Sequence, residues 1–387
     1  MILDCKVLFV GHDASRTGAP VILLNLLIWL KKHYSLDFIV LLRDGGPLRC
    51  DYERIASTYV YSDVVPVSIP SFFWSKKKGG DVSKAQYYRE LLEKENISLV
   101  YSNTATNGEL YELFKELKLP VITHIHELEY VLRVCSSALN LRRVKVITDH
   151  FIVASQAVMA NLMENHAVPP EKMTLCHDFI HCEDIAKDTF PQDIFCRELN
   201  IAVDSFIVCA IGTMDWRKGA DLLALLANSV VNKSPDVPIY FIWVGGPLEG
   251  DFFDRLMFDV IRLGLQDRIF FPGESGNLGK YYAACDVFTL LSREDPFPLV
   301  CLEAAAFGKP IVCFADSGGM PEFVEKDAGF VVPYLNIEAM AERIIELHAD
   351  CTLRQFLGAQ AAVKVRQRHD IAESGRKIME IMGSLVP

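Results

Sequence analysis

The sequence contains no CxxC pair, no HExxH, no DxD and no GxGxxG, and no long basic stretch dominates it. Each absence narrows the field. Eleven cysteines stand singly, at Cys5, Cys50, Cys135, Cys176, Cys182, Cys196, Cys209, Cys285, Cys301, Cys313 and Cys351. An odd number of scattered cysteines, mostly inside apolar runs, argues against zinc or a disulfide framework and reads as reduced, buried thiols of a cytosolic protein. With a formal net charge of -11 and no concentrated Lys/Arg surface, nucleic-acid binding is disfavoured, because neutralising phosphates needs such a surface. The most apolar run, "APVILLNLLIWL" at 19–30, falls short of the roughly 20 residues that span a bilayer. It follows a strand-like run, so it reads as a core helix and not as a signal peptide or anchor. The first loop, "GHDASRTG", lacks the dinucleotide fingerprint, which leaves a dehydrogenase poorly supported. No internal repeat or low-complexity segment is evident.

What is present is a chain of 387 residues, 51% hydrophobic, long enough for two packed domains. Strand-length apolar runs recur with helical stretches between them: "KVLFVG" (6–11), "FIVLL" (38–42), "SLVYS" (98–102), "PVITHIH" (120–126) and "HFIVAS" (150–155). Such alternation predicts a parallel sheet covered on both faces. From about 177 to 204 the chain turns polar and irregular, as a connection between domains does. A second set follows: "FIVCAIG" (206–212), "IYFIWVGG" (239–246), "RIFFPG" (268–273), "DVFTLL" (286–291), "PIVCF" (310–314) and "GFVVP" (329–333). The expected architecture is α/β: two Rossmann-like, doubly wound domains facing across a cleft, the first over 1–182 and the second over 183–369. A terminal helix at about 370–387 is expected to pack back on the first domain. Ligands in such sheets bind at the carboxyl ends of the strands.

The stretch "SREDPFPLVCLEAAAFGKP", 292–310, concentrates the chemistry. A strand ends before it, and a helix is expected to begin near Pro298 or Leu299 and to stop at Phe307-Gly308-Lys309-Pro310. Asp295 then lies in the loop and Glu303 about one turn into the helix. The amides that open the helix favour a phosphate, while a carboxylate further in repels phosphate but accepts hydrogen bonds from sugar hydroxyls. The pattern suits a diphosphate between two sugars. The same spacing is met by a Glu303 that caps its own helix or pairs with a lysine, and by an Asp295 that only serves a turn. In "GTMDWRKGAD", Arg217 and Lys218 stand where cations can clamp a diphosphate, although solvated Arg-Lys pairs are common. In "FADSGGMPEFV", Gly318 and Gly319 permit close backbone approach to a ligand, as they equally permit a plain turn.

The order "WRKG", "VGG", "FPG", "SREDPFPLVCLEAAAFGKPIV", "SGGMPEFV" closely resembles the carboxyl-terminal domain of the family-4 retaining glycosyltransferases, group 1, of the GT-B fold. Their two acidic residues separated by seven others are matched here by Asp295 and Glu303. "VLFVGHDASRTGAP", "PVITHIHE" and "FIVASQAV" resemble segments of the family's first domain. The resemblance implies that Glu303 binds the ribose hydroxyls of a nucleotide sugar and that Asp295 contacts the donor sugar. Arg217 and Lys218 would hold the diphosphate, and the amides of Phe297, Pro298, Leu299 and Val300 would complete the cradle. His126 matches the family's histidine near the reacting carbon, though a lone histidine at a strand end also fits a hydrogen-bonded core residue. Gly18 matches the glycine loop facing the donor phosphates, with Thr213, Gly245, Gly273, Gly318 and Gly319 lining the donor side. The chain departs from the pattern in three places. Asp295 replaces the commoner glutamate, with Glu294 adjacent, so either carboxylate could reach the sugar. Thr213 stands where many relatives carry arginine, and Gly18-Ala19 replaces a frequent double glycine.

The implied reaction moves a sugar from a nucleotide diphosphate to an acceptor hydroxyl with retention, in bacterial-type glycan or glycolipid assembly. No metal and no cofactor are expected, since Lys218, Arg217 and the helix dipole would stabilise the leaving diphosphate. With no clear covalent nucleophile, front-face displacement fits better than a two-step route. His12, Arg16, Asn103 and Glu109 are expected near strand ends on the acceptor side. "PSFFWSKKKGG" sets Phe72, Phe73 and Trp74 beside Lys76, Lys77 and Lys78; the segment Phe72–Lys78 suits either peripheral contact with an anionic membrane on the cytoplasmic face, where a lipid-linked acceptor would lie, or a partly packed loop. A sugar-nucleotide epimerase and a non-catalytic nucleotide-sugar-binding protein are the alternative readings.

Overall fold

The computed structural model describes residues 5–63, 84–185 and 190–386, apart from the side chains of Glu116, Leu117, Cys135 and Asp184. The aromatic and lysine segment Phe72–Lys78 lies outside the described residues. The chain forms two compact units. One comprises Met1–Ala154, Val158–Cys176 and Ser374–Pro387; the other comprises Ser155–Ala157 and His177–Glu373.

In the first unit seven parallel strands are β1 (Lys6–Gly11), β2 (Asp37–Leu42), β3 (Thr58–Val60), β4 (Leu99–Ser102), β5 (Val121–Ile125), β6 (His150–Val153) and β7 (Met173–Leu175). Their order is β3-β2-β1-β4-β5-β6-β7, so the direction of winding reverses between β1 and β4. The strands read as continuous apolar runs because helices cover both faces: Val7, Leu8, Phe9 and Val10 have no exposed surface. The helix Gly18–His33 buries Leu23, Leu26, Leu27 and Leu30, the spacing of one helical face. Its last turn carries Lys31, Lys32 and His33, cations that complement the carboxyl end of the helix dipole. The two short edge strands β3 and β7 were not expected from the sequence.

The second unit holds β8 (Phe206–Ile211), β9 (Ile239–Val244), β10 (Ile269–Gly273), β11 (Val287–Leu290), β12 (Ile311–Phe314) and β13 (Gly329–Val332). They order β10-β9-β8-β11-β12-β13, again all parallel, with the reversal between β8 and β11. The helices Leu222–Lys233 and Ile337–Ala349 pack with Phe241, Trp243 and Val312 in its core.

The stretch 177–204, read from the sequence as an irregular connection, belongs wholly to this second unit and contains the helices Cys182–Ile185 and Gln192–Glu198. The buried Phe195 and Cys196 anchor the latter. The division accordingly falls between Cys176 and His177, where the sequence reading set it after residue 182. Two helices, Cys351–Arg368 and Ile371–Leu385, end the chain, and residues from Ser374 onward belong to the first unit. There the thiol of Cys176 lies 3.8 Å from the carbonyl oxygen of Ser374. No described helix is long and apolar enough to cross a membrane.

Candidate active site

The second unit brings together the loops that follow β8 and β11, the two strands flanking its reversal point. Lys218 Nζ stands 2.6 Å from Asp295 Oδ2, and the Ser292 hydroxyl donates to the same oxygen at 3.1 Å. Asp295 is 4% exposed, so the pair is largely screened from water. Arg217 donates to the backbone oxygen of Glu294 at 3.0 Å, and the Arg293 amide donates back to Arg217 O at 2.8 Å. The Arg293 guanidinium grips Asp221 bidentately at 2.8 and 2.7 Å and lies 4.8 Å from the centre of the Trp216 ring. Hydrogen bonds thus run between the two loops in both directions.

Gly219 makes that fit possible. It adopts φ +77°, and a Cβ there would lie 2.0 Å from Leu291 O. Gly219→Ala is therefore expected to remove about 2–5 kcal/mol of stability, from left-handed strain plus overpacking. Urea unfolding checks this; an unchanged midpoint would mean that the loop rebuilds without the contact.

The helix Leu299–Ala306 starts after an extended Pro298, which is where the sequence places it. Its opening amides have no partner within the helix. Pro298, counted among the cradle amides, is a correction: proline has no N–H to give, which leaves Phe297, Leu299 and Val300 as the candidate amides. Among the described residues Glu303 neither caps the helix nor pairs with a lysine. Its carboxylate accepts the phenol hydrogen of Tyr282 at 2.5 Å. Burial pushes the Glu303 carboxyl up from 4.5 to about 7, with the Tyr282 hydrogen bond acting in the opposite direction. The Tyr282 phenol is itself held well above its usual range, first by burial and then by the neighbouring carboxylate, so it remains the donor. Tyr282 was missed in the sequence, where nothing in "GKYYAACD" separates it from Tyr281.

The remaining donor-side candidates divide. Asp295 N donates to Ser317 O at 2.7 Å and Gly319 N to Pro296 O at 3.0 Å, so Gly318 and Gly319 are bound to the acidic loop; Gly318 bridges Asp295 directly. Gly245 N donates to Gly273 O at 2.8 Å, which employs both glycines in joining the ends of β9 and β10. Thr213 is exposed and its hydroxyl donates to Asp215 at 2.8 Å. Glu294 contributes its backbone oxygen to the Arg217 contact, whereas Asp295 contributes its side chain to the Lys218 pair.

In the first unit, three neighbouring strands each end in a polar residue: His12 after β1, Asn103 after β4 and His126 after β5. His126 Nε2 lies 3.1 Å from Asn103 Oδ1, and Asn103 Nδ2 donates to Ala19 O at 2.8 Å. That chain of contacts ties the histidine to the start of the helix Gly18–His33. A Cβ at Gly18 would meet nothing within 4 Å, so the fold itself makes no demand for glycine there. Burial lowers the His12 imidazole below its usual value, with Asp13 and Glu127 pulling it back up. Glu127, not singled out in the sequence, is 6% exposed and accepts the amides of Ala105 and His126, each at 3.1 Å. Arg16 is exposed, and Glu109 pairs with Arg43 at 3.6 Å rather than with the histidines.

Two doubly wound parallel sheets with a charged site at the reversal point define a two-domain α/β protein of the GT-B fold. The same fold is seen in the crystal structure of Anabaena Alr3699/HepE in complex with UDP, with a TM-score of 0.82 at 21% identity, covering 98% of this chain and 100% of that one. The family model for glycosyl transferases group 1 matches residues 192–364, and that for Glycosyltransferase Family 4 matches residues 16–184. The chain belongs to the family-4, group 1 glycosyltransferases. It is 25% identical over 295 residues to the D-inositol 3-phosphate glycosyltransferase of Corynebacterium glutamicum, covering 71% of this chain and 69% of that protein. To the protein of the same description from Corynebacterium urealyticum it is 27% identical over 194 residues, 49% of this chain and 45% of that one. The chain thus spans under half of the second relative's length.

Proposed function

We propose that this glycosyltransferase moves a sugar from a nucleotide-diphosphate donor to a hydroxyl of a glycan or lipid-linked acceptor, with retention and without a metal. The observation that carries the reading is the Lys218–Asp295 pair, 2.6 Å long, in the loops flanking the opening amides of the helix Leu299–Ala306. Lys218 and Arg217 take the diphosphate, with the amides of Phe297, Leu299 and Val300. Asp295, released from full engagement with Lys218, accepts hydroxyls of the transferred sugar, and Glu303 accepts the ribose hydroxyls. The anomeric carbon–oxygen bond breaks toward the diphosphate as the acceptor oxygen bonds to the same face. The acceptor proton passes to the departing phosphate, so no protein nucleophile is required. His126, oriented by Asn103, positions the sugar. No observation favours the epimerase or the non-catalytic binding protein. Peripheral membrane contact through Phe72–Lys78 belongs to the same proposal and is supported by that segment's composition alone.

The UDP in the Anabaena structure supports uridine as the first base to try. Thermal stabilisation by UDP, GDP and ADP sugars, repeated on Glu303→Ala, is expected to single out one nucleotide in the wild-type chain and none in the variant. No stabilisation by any of them would remove the donor-site reading.

A further inference from the structure

The segment "SGGMPEFV" contains a carboxylate that the donor site leaves unused. Glu322 is 21% exposed in its side chain. Its Oε1 accepts the amide of Ala157 at 2.9 Å, and its Oε2 accepts the amide of Gln156 at 2.9 Å and His177 Nε2 at 3.0 Å. An ionised carboxylate can only accept, so the imidazole proton sits on Nε2. The three donors lie 166, 165 and 145 residues away in sequence, which makes this a tertiary junction and not a local turn.

The junction leads to the donor loop. The His177 ring is 4.9 Å from Phe297 at 37°, and Phe297 stacks on His369 at 5.1 Å and 30°. Gly319, one turn before Glu322, packs into the same place. A Cβ there would lie 2.3 Å from Pro296 O, 2.6 Å from the Phe297 ring and 2.6 Å from Ser155 Cβ. Phe297, 3% exposed, is thereby seated between segments that Glu322 holds together. It is also the residue before Pro298, from which the helix Leu299–Ala306 starts.

We propose that Glu322 is a positioning residue for the donor site: by fixing His177 and the segment Ser155–Ala157 it seats Phe297, and so aims the amides that receive the donor diphosphate. This rests on the donor-site reading above. Small displacements of such groups are costly to binding and rate. Glutamine at 322 offers one oxygen where the carboxylate offers two. Whichever way it turns, its NH2 meets an N–H, and one side of the junction opens.

The test titrates UDP, GDP and ADP calorimetrically into the wild-type chain, Glu322→Gln and His177→Gln, with hydrogen exchange followed on the same proteins well below their melting temperatures. His177→Gln retains a donor for Glu322 and removes the ring against Phe297. Both variants are expected to bind the preferred nucleotide about 2- to 30-fold more weakly, the range for residues that act through a packed network. Exchange should accelerate over 297–302 while β8 and β12 stay protected. Unchanged affinity with exchange altered everywhere equally, or nowhere, would overturn the proposal and leave Glu322 a purely structural residue. If the wild-type chain binds none of the three nucleotides, the donor-site reading fails and the positioning role falls with it, and the exchange comparison then tells only whether Glu322 seats Phe297.

Discussion

Replacing Lys218 by alanine is expected to slow sugar transfer by about 100- to 1,000-fold, the loss typical when one preorganised group facing developing charge is removed. Donor affinity should fall by less, because the charge on the leaving diphosphate is greatest in the transition state. The variant has a second consequence that must be separated from the first. Asp295 is 4% exposed, and removing its cation leaves a buried charge, which costs about 3–5 kcal/mol in comparable pairs. The double variant Lys218→Met/Asp295→Asn removes both charges and is expected to recover most of that stability while remaining inactive. Initial rates and melting temperatures on the three proteins decide the matter. A Lys218→Ala enzyme that keeps nearly all its turnover would sink the assignment.

Glu303→Gln is expected to stabilise the ligand-free protein at alkaline pH and to weaken donor binding. The carboxyl moves from 4.5 to about 7 on folding, so between those values the folded chain binds more protons than the unfolded one. Stability then falls as pH rises through that window, by roughly 3 kcal/mol if the whole displacement is realised. Below about pH 4.5 the contribution is fully present; above about 7 it is lost. Glutamine, neutral throughout, should flatten this slope and raise the melting temperature at pH 8. Donor binding has the opposite pH dependence. Hydroxyls donating to Glu303 favour its ionised form, so binding expels a proton and wild-type affinity should rise between about pH 5 and 7. Melting curves against pH and titrations in buffers of different ionisation heat test both statements. A pH-independent affinity would show that the carboxyl does not meet the ribose, and a glutamine variant no more stable at pH 8 would show that burial does not hold the carboxyl near 7.

The long strands of both sheets were legible because burial on two faces forces unbroken apolar runs such as "KVLFVG" and "FIVCAI". β3 and β7 escaped because three residues at a sheet edge carry no periodicity to read. The helices at Cys182–Ile185 and Gln192–Glu198 were hidden by their polar faces, only Phe195 and Cys196 of the second one marking the buried side. In the site, spacing placed Glu303 one turn into its helix and Asp295 in the loop before it. Partners were another matter. Tyr282 meets Glu303 across 21 residues and Arg293 meets Asp221 across 72, and no local pattern records such contacts. Glu127 was overlooked for a related reason: beside two histidines it draws no notice, yet it satisfies the amides of Ala105 and His126.

The division of the chain bears on how it can be cut. Ser155–Ala157 are counted with the second unit although their sequence neighbours on both sides belong to the first. A fragment starting at His177 would therefore lack the two backbone amides at 156 and 157 that satisfy Glu322, leaving a partly sheltered carboxylate with one imidazole. A fragment ending at Cys176 would lack everything from Ser374 onward. Neither half is one continuous stretch of sequence, so the halves are better studied by substitution within the intact chain, and a ligand-binding failure in an isolated half would say nothing about the site.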